Sequence, residues 1–366
     1  MYKVLVFIEN PIYENRDIER FGFKFFEKNN YEIIIVDCKL LFNKTHSWKI
    51  TNHKYEVTNI ENLAEIEILI KKIKCGFALD LLAYNKVAFK IRNILNKNKI
   101  LTVKKQGSLP LFQKSFINIK KELIKNYFFS KGFKHSVGIT TSLDTDKNFF
   151  IKRSLKKVYS QTADYEKMMN NKEPYYEQNK KYILFLDDML PNHPDYNTYT
   201  PPKPNPTNED TYLRELNFFF KKVEDLTGFE VIIALHPKSS IKNWNQIFPN
   251  RKIFISSTLK LAKNCVCALA HESTSISYAV MFKKPIIFLS SDEIENSWIY
   301  LNIIGKANYL GAETINITKF NSNHKKINIH DYNSIAFNNY FDNFIKHPLS
   351  TGQSSWKSLL EIINNN

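Results

Sequence analysis

Glycine is scarce in this chain, nine in 366 residues, and no two are spaced Gly-x-Gly. The dinucleotide-binding fingerprint is therefore absent, as are the Gly-x-x-x-x-Gly-Lys phosphate loop and the Gly-x-Ser-x-Gly nucleophile elbow. Nicotinamide dehydrogenase, P-loop NTPase and α/β-hydrolase readings fall together. Cysteine is equally sparse: Cys38, Cys75, Cys265 and Cys267. These are too few and too scattered for a disulfide framework, and Cys265-x-Cys267 has no second pair to complete a zinc site. Reduced thiols in a cytoplasmic protein are the expectation. Only short apolar runs occur, such as Val231–Leu235 and Pro285–Leu289, far below the roughly 18 residues of a membrane span. The first residues lack the long apolar stretch and small-residue cleavage site of a secretory signal. Arginine is rare among the cations: six of 52 basic residues. A nucleic-acid reader leans on Arg for bidentate base contacts, so nucleic acid is not an expected partner.

What is present is a large apolar fraction, 43% against 24% charged, enough for packed cores. The length suggests two domains. The net charge of +16 gives a basic surface suited to nucleotides, acidic glycans or, peripherally, the anionic inner face of a membrane.

Apolar runs alternate with helical spacing throughout. Strands are expected at Lys3–Ile8, Tyr31–Val36, Gly76–Leu82, Ile100–Lys104, Ser136–Thr141 and Lys157–Ser160, with helices at Glu61–Ile73 and Val87–Leu95 between them. Residues 168–181, polar and interrupted by Pro174, read as a linker. A second series follows: strands Tyr182–Leu186, Glu230–Leu235, Lys252–Ile255, Val266–Ala270 and Pro285–Leu289, with helices at Glu209–Leu226, Leu259–Asn264 and Thr274–Phe282. Six prolines make residues 191–208 an irregular loop. Helical segments near Ala336–Ile345 and Ser355–Ile363 end the chain. Strands separated by helices imply parallel βαβ units. The expected fold is α/β: a Rossmann-like domain over residues 1–167, the linker, and a second Rossmann-like domain over residues 182–366 carrying the terminal helices, the two facing a central cleft.

Parallel sheets bind ligands at the carboxyl ends of their strands. His236, Pro237 and Lys238 follow one strand, and an imidazole beside an ammonium there can neutralise a departing phosphate. His271, Glu272, Ser273, Thr274 and Ser275 follow another and open a helix, where hydroxyls and unpaired N–H groups suit an anion. Asp187 and Asp188 follow a third; a carboxylate at that place can act as a general base or hold a substrate hydroxyl. Each motif has a plain alternative: a His bonded to backbone, a Ser N-cap, an Asp closing a turn. Gln106, Gly107 and Ser108 end a first-domain strand and are expected on the acceptor side, with Glu9 and Asp80 similarly placed. Asp144-Thr145-Asp146 is a nominal acidic pair in a polar loop, and no metal is expected.

A Leu-His-Pro-Lys turn after a strand (Leu235–Lys238), His271–Ser275 at a strand-to-helix turn and the strand at Lys284–Leu289 together resemble the GT-B glycosyltransferases of bacterial surface polysaccharide synthesis, over about residues 180–290. The pattern is most similar to sialyltransferase and polysialyltransferase-type enzymes, whose His-Pro and Ser-Ser or Ser-Thr motifs hold the CMP phosphate. CDP-glycerol glycerophosphotransferases share a similar layout. The resemblance implies that His236 and Pro237 stand in the His-Pro motif and Ser273 and Thr274 in the hydroxyl pair. It implies a metal-independent transferase without a cofactor, moving a sialic, legionaminic or pseudaminic acid-type nonulosonic acid from a CMP-activated donor to a cell-surface glycan. Such enzymes carry an acidic-acidic-Gly motif in their first domain. This chain has none; Asp187-Asp188, its one Asp-Asp pair, is followed by Met189, and Asp188 becomes the first choice of base. A CDP-glycerol or CDP-ribitol phosphotransferase and a non-catalytic nucleotide- or glycan-binding protein are the alternatives.

Overall fold

The computed structural model describes residues 2–10, 12, 14–42, 54–107, 133–176, 181–198, 201–239, 241–248, 250–320 and 326–365. The chain forms two compact units. The first comprises Met1–Ser108, Ser115–Glu166 and Asn343–Asn366, and the second Leu109–Lys114 and Lys167–Asp342.

The first unit carries a seven-stranded sheet: β1 (Tyr2–Ile8), β2 (Tyr31–Asp37), β3 (Glu56–Asn59), β4 (Cys75–Asp80), β5 (Thr102–Gln106), β6 (Val137–Thr140) and β7 (Lys156–Tyr159). The order is β3-β2-β1-β4-β5-β6-β7, every pair parallel. Both faces are covered, so the central strands read as unbroken apolar runs rather than alternating ones. Val4, Val6 and Phe77 pack into one core, Leu5, Phe7 and Ala78 into the other. The expected strands are all present within one or two residues. β3 was not legible, because a four-residue edge strand with the sequence Glu-Val-Thr-Asn shows no apolar run.

The last helix, Ser355–Asn364, corrects the expected domain boundary. Chain order places it in the second domain, but Trp356, Leu359 and Leu360 bury in the same core as Val4, Phe26 and Phe77. The returning chain is also tied by polar groups. Gln161 bridges Lys346, accepts from the Ser350 hydroxyl and donates to Gln353 O. The Glu166 carboxylate accepts both the Ser355 N–H and its hydroxyl at 3.1 Å.

A buried charged cluster sits beneath β4. Asp80 accepts from Arg92 Nε at 2.7 Å and from His135 Nε2 at 2.8 Å, and Lys104 Nζ lies 3.7 Å away. Burial alone would push the Asp80 carboxyl up, but Arg92, Lys104 and His135 outweigh it and hold it well below the usual carboxylate range. Burial pushes the Lys104 ammonium down to about 8.

The second unit carries six parallel strands: β8 (Tyr182–Leu186), β9 (Glu230–Leu235), β10 (Ile253–Ile255), β11 (Ala268–Ala270), β12 (Ile286–Ser290) and β13 (Glu313–Asn316). Their order is β10-β9-β8-β11-β12-β13. The chain winds outward in one direction through β8, β9 and β10, then returns to β11 on the other side of β8. That reversal puts the topological switch point between β8 and β11, the place where open α/β sheets bind ligands. The helix Glu209–Thr227 covers one face. Asn208 caps its start by accepting the Thr211 N–H, Gly228 closes it at φ 72°, and Tyr212, Leu216, Phe219, Phe220 and Val223 form its buried stripe. Leu226, the last residue of the expected helix, is exposed at the final turn. Among the described residues no helix is long and apolar enough to cross a membrane.

Candidate functional site

The polar groups of the second unit gather at the carboxyl ends of β8, β9 and β11. Asp187 and Asp188 follow β8, where the chain turns through Met189 at φ 53°, a left-handed backbone that costs a side-chain-bearing residue about 1–2 kcal/mol. The two carboxylates do different things. Asp187 Oδ2 accepts the His236 N–H at 3.0 Å and the Ser239 hydroxyl at 2.8 Å, and its Oδ1 accepts the Met189 N–H at 2.9 Å. It ties the β8 turn to the β9 turn. Burial raises its carboxyl to about 6 against the opposing His236 N–H. Both oxygens are thus engaged inside the unit, and Asp187 holds the backbone of His236 in place.

Asp188 reaches across the switch point instead. Its Oδ2 accepts the Glu272 N–H, at the end of β11, at 2.9 Å. Its Oδ1 is buried and, among the described residues, has no hydrogen-bond partner. Burial pushes the carboxyl up to about 7, and the neighbouring Glu272 adds to the rise while its N–H and the Lys306 ammonium oppose it. A carboxyl poised near neutrality with one unsatisfied oxygen is suited to taking or giving a proton.

His236 lies just past β9, half-buried. Its Nδ1 accepts the Lys238 N–H at 3.2 Å. In the neutral ring the proton therefore sits on Nε2, which becomes a donor. Pro237 is exposed behind it. Lys238 Nζ pairs with Asp195 Oδ1 at 2.8 Å.

The β11 turn divides its five residues. His271 is wholly buried: Nδ1 donates to Leu289 O at 2.7 Å and Nε2 accepts the Tyr212 hydroxyl at 2.9 Å. Burial holds its imidazole neutral, with the pKa down to about 4. It pins β11 to β12 and to the covering helix. Glu272 is ion-paired to Lys306 at 2.7 Å. Ser273 is buried and accepts the Ser275 N–H at 3.3 Å; Thr274 is exposed and Ser275 half-buried. The helix expected from Thr274 spans Ile276–Met281, because i to i+3 bonds from Ser277 to Thr274 and from Tyr278 to Ser275 tighten its first turn.

The remaining expected residues lie in the first unit. Gln106 and Gly107 are half-buried at the end of β5, where Gln106 O accepts the Thr141 hydroxyl at 3.1 Å. Ser108 lies outside the described residues. Asp146 is ion-paired to Lys157 at 2.7 Å, and among the described residues no three His, Cys, Asp or Glu side chains gather as a metal set.

Two residues escaped the sequence reading. Lys306 is buried on the apolar face of the helix Tyr300–Leu310, in step with Ile303 and Leu310, a misplaced charge that the spacing does betray. His193 stands in the proline-rich loop, its ring 5.1 Å from that of His236. Its signal was the same His-Pro dipeptide.

No family model matches the chain, and no curated protein matches it. Solved structures do. MurG of Acinetobacter baumannii aligns over 100% of both chains with a TM-score of 0.50 at 8% identity. A variant of the wall teichoic acid polymerase TagF aligns over 100% of this chain and 88% of its own, with a TM-score of 0.57 at 11% identity. The same polymerase soaked with CDPG gives 0.54 at 10% identity. Likenesses at such low identity concern the backbone alone. Two all-parallel Rossmann-like sheets, in the likeness of MurG and TagF, make this a two-domain glycosyltransferase-like fold of the GT-B type.

Proposed function

We propose that the chain is a glycosyltransferase that uses a phosphate-activated donor, and that the donor is a CMP-linked nonulosonic acid delivered to a cell-surface glycan. The observation that carries this reading is the placement, after the neighbouring strands β8 and β9, of a buried carboxyl poised near pH 7, Asp188, and of an imidazole whose Nε2 is set as a donor, His236. Asp188 takes the proton of the acceptor hydroxyl, whose oxygen bonds to the anomeric carbon. The bond from that carbon to the phosphate oxygen breaks, and CMP leaves with the electron pair. Asp188 Oδ1 is shielded from solvent, so an acceptor hydroxyl has to displace that cover to reach it. His236 donates to the departing phosphate, and the Ser273, Thr274 and Ser275 turn holds its oxygens. A single phosphate can be neutralised by such donors without a metal, so activity is expected to survive chelator.

A CDP-glycerol-type phosphotransfer is the second reading, favoured by the likeness to TagF. A thermal-shift series with CMP, CDP, UDP, GDP and NAD tests the nucleotide first, since a ligand that binds the folded state raises its melting temperature. CMP and CDP should give the largest shifts; a larger one with UDP removes the cytidine donor. Turnover of a CMP-nonulosonic acid against CDP-glycerol then separates the two transfers, and cytidine-nucleotide binding with no turnover of either leaves a binding protein.

A further inference from the structure

We propose that His193 and His236 form a two-imidazole clamp on the donor's phosphate, an inference that rests on the phosphate-donor reading and adds a residue to it.

The two rings belong to matching turns. After β8 the chain runs His193-Pro194-Asp195, and after β9 it runs His236-Pro237-Lys238. In the first, His193 Nδ1 accepts the Asp195 N–H at 3.1 Å; in the second, His236 Nδ1 accepts the Lys238 N–H at 3.2 Å. Proline in the middle has no N–H and a fixed φ, which leaves the following N–H to find the ring. Each ring is thereby fixed in orientation and in tautomer, with the neutral ring's proton on Nε2. The third residues of the turns close on each other through the Lys238–Asp195 ion pair at 2.8 Å. The first turn is anchored from below by Tyr196, which is buried, donates to Leu190 O at 3.0 Å and packs edge-on against Trp298.

The turn by itself does not mark a ligand. His347-Pro348-Leu349 makes it too, with the Leu349 N–H 3.1 Å from Nδ1, but His347 is buried against the Tyr159 ring. The difference at the β8 and β9 ends is pairing and access. The two rings stand 5.1 Å apart at 68°, His236 is half-buried, and the His193 side chain keeps 16% of its surface open. That spacing is of the scale needed for two N–H donors, each about 2.8 Å from a different oxygen of one tetrahedral phosphate.

The test uses the full chain and measures affinity for CMP, UMP and cytidine by calorimetry. His193→Gln and His236→Gln should each weaken CMP binding by about tenfold or more, the scale of one charge-assisted hydrogen bond, while cytidine binding holds. In the unsubstituted protein, CMP should move the Nε2 signals of both rings in a long-range ¹H–¹⁵N spectrum. Wild-type CMP affinity in His193→Gln, equal loss of CMP and cytidine, or an unmoved His193 signal overturns the clamp. If His193→Gln does not fold, the spectrum of the unsubstituted protein decides. UMP outbinding CMP with the same dependence on His193 removes the cytidine donor and keeps the clamp. No binding of any nucleoside phosphate by the unsubstituted protein removes both.

Discussion

Asp188→Asn should make the protein more stable at alkaline pH and nearly inactive. The carboxyl is pushed by burial from its ordinary value near 3.8 up to about 7. A carboxyl with a raised folded-state pKa is better tolerated protonated, so its penalty is absent below about pH 4, grows between 4 and 7, and is complete above 7. At 1.36 kcal/mol for each tenfold change, the full penalty is at most about 4 kcal/mol. Asn keeps an oxygen for the Glu272 N–H but places its amide where Oδ1 has no partner, which costs about 1–3 kcal/mol. The net gain at pH 8 is therefore about 1–3 kcal/mol, a rise of several degrees for a unit of this size, and near parity is expected at pH 5. Loss of the base should lower turnover by roughly 10²–10⁴. Calorimetric melts of both proteins at pH 5 and 8, with initial rates on the same preparations, measure the two effects together. A melting difference that is the same at both pH values refutes the assignment of a penalised buried carboxylate. Wild-type turnover refutes the base.

Three further substitutions probe other parts of the reasoning. His236→Ala should lower kcat by roughly 10²–10³ and move KM less, because charge on the phosphate develops mainly in the transition state; a lowered melting temperature with normal turnover would make the ring structural. Asp80→Asn should destabilise the first unit by about 3–5 kcal/mol in urea titrations at pH 7, since Arg92 and Lys104 lose their buried counter-charge. Because Asp80 titrates well below the usual range, its contribution is complete above about pH 4 and is lost as pH falls further, so the deficit should shrink in acid; a neutral outcome at pH 7 would contradict the ion-pair account. Gly22→Ala should cost more than the roughly 1–2 kcal/mol of a left-handed backbone, because its Cβ would stand 2.6 Å from the Trp356 ring at a φ of 73°. Pairing it with Trp356→Ala should recover part of that loss, and simple additivity would place the last helix elsewhere.

Much of the molecule was legible in the sequence. Buried parallel strands are short apolar runs whatever surrounds them, so Val4–Ile8, Tyr182–Leu186 and Val231–Leu235 declared themselves. The long amphipathic helix did so through its spacing and the Gly228 that closes it, while the Asn208 cap showed only in the structure. The candidate motifs could be picked out because strand ends, where such folds bind ligands, are located by the sequence. Tertiary structure alone decided how neighbouring residues differ. Asp187 and Asp188 are adjacent and identical in type, yet one is satisfied by the β9 turn and the other is left with an orphan oxygen at the switch point. His271 and His236 both follow strands, but one ring points into the core and the other ends at half-exposed surface. The last helix joined the first unit because Trp356, Leu359 and Leu360 found their apolar partners there. Periodicity records that a face is apolar. Which surface covers it, and whether a polar atom finds its partner, depends on contacts between residues as distant in sequence as Asp188 and Glu272.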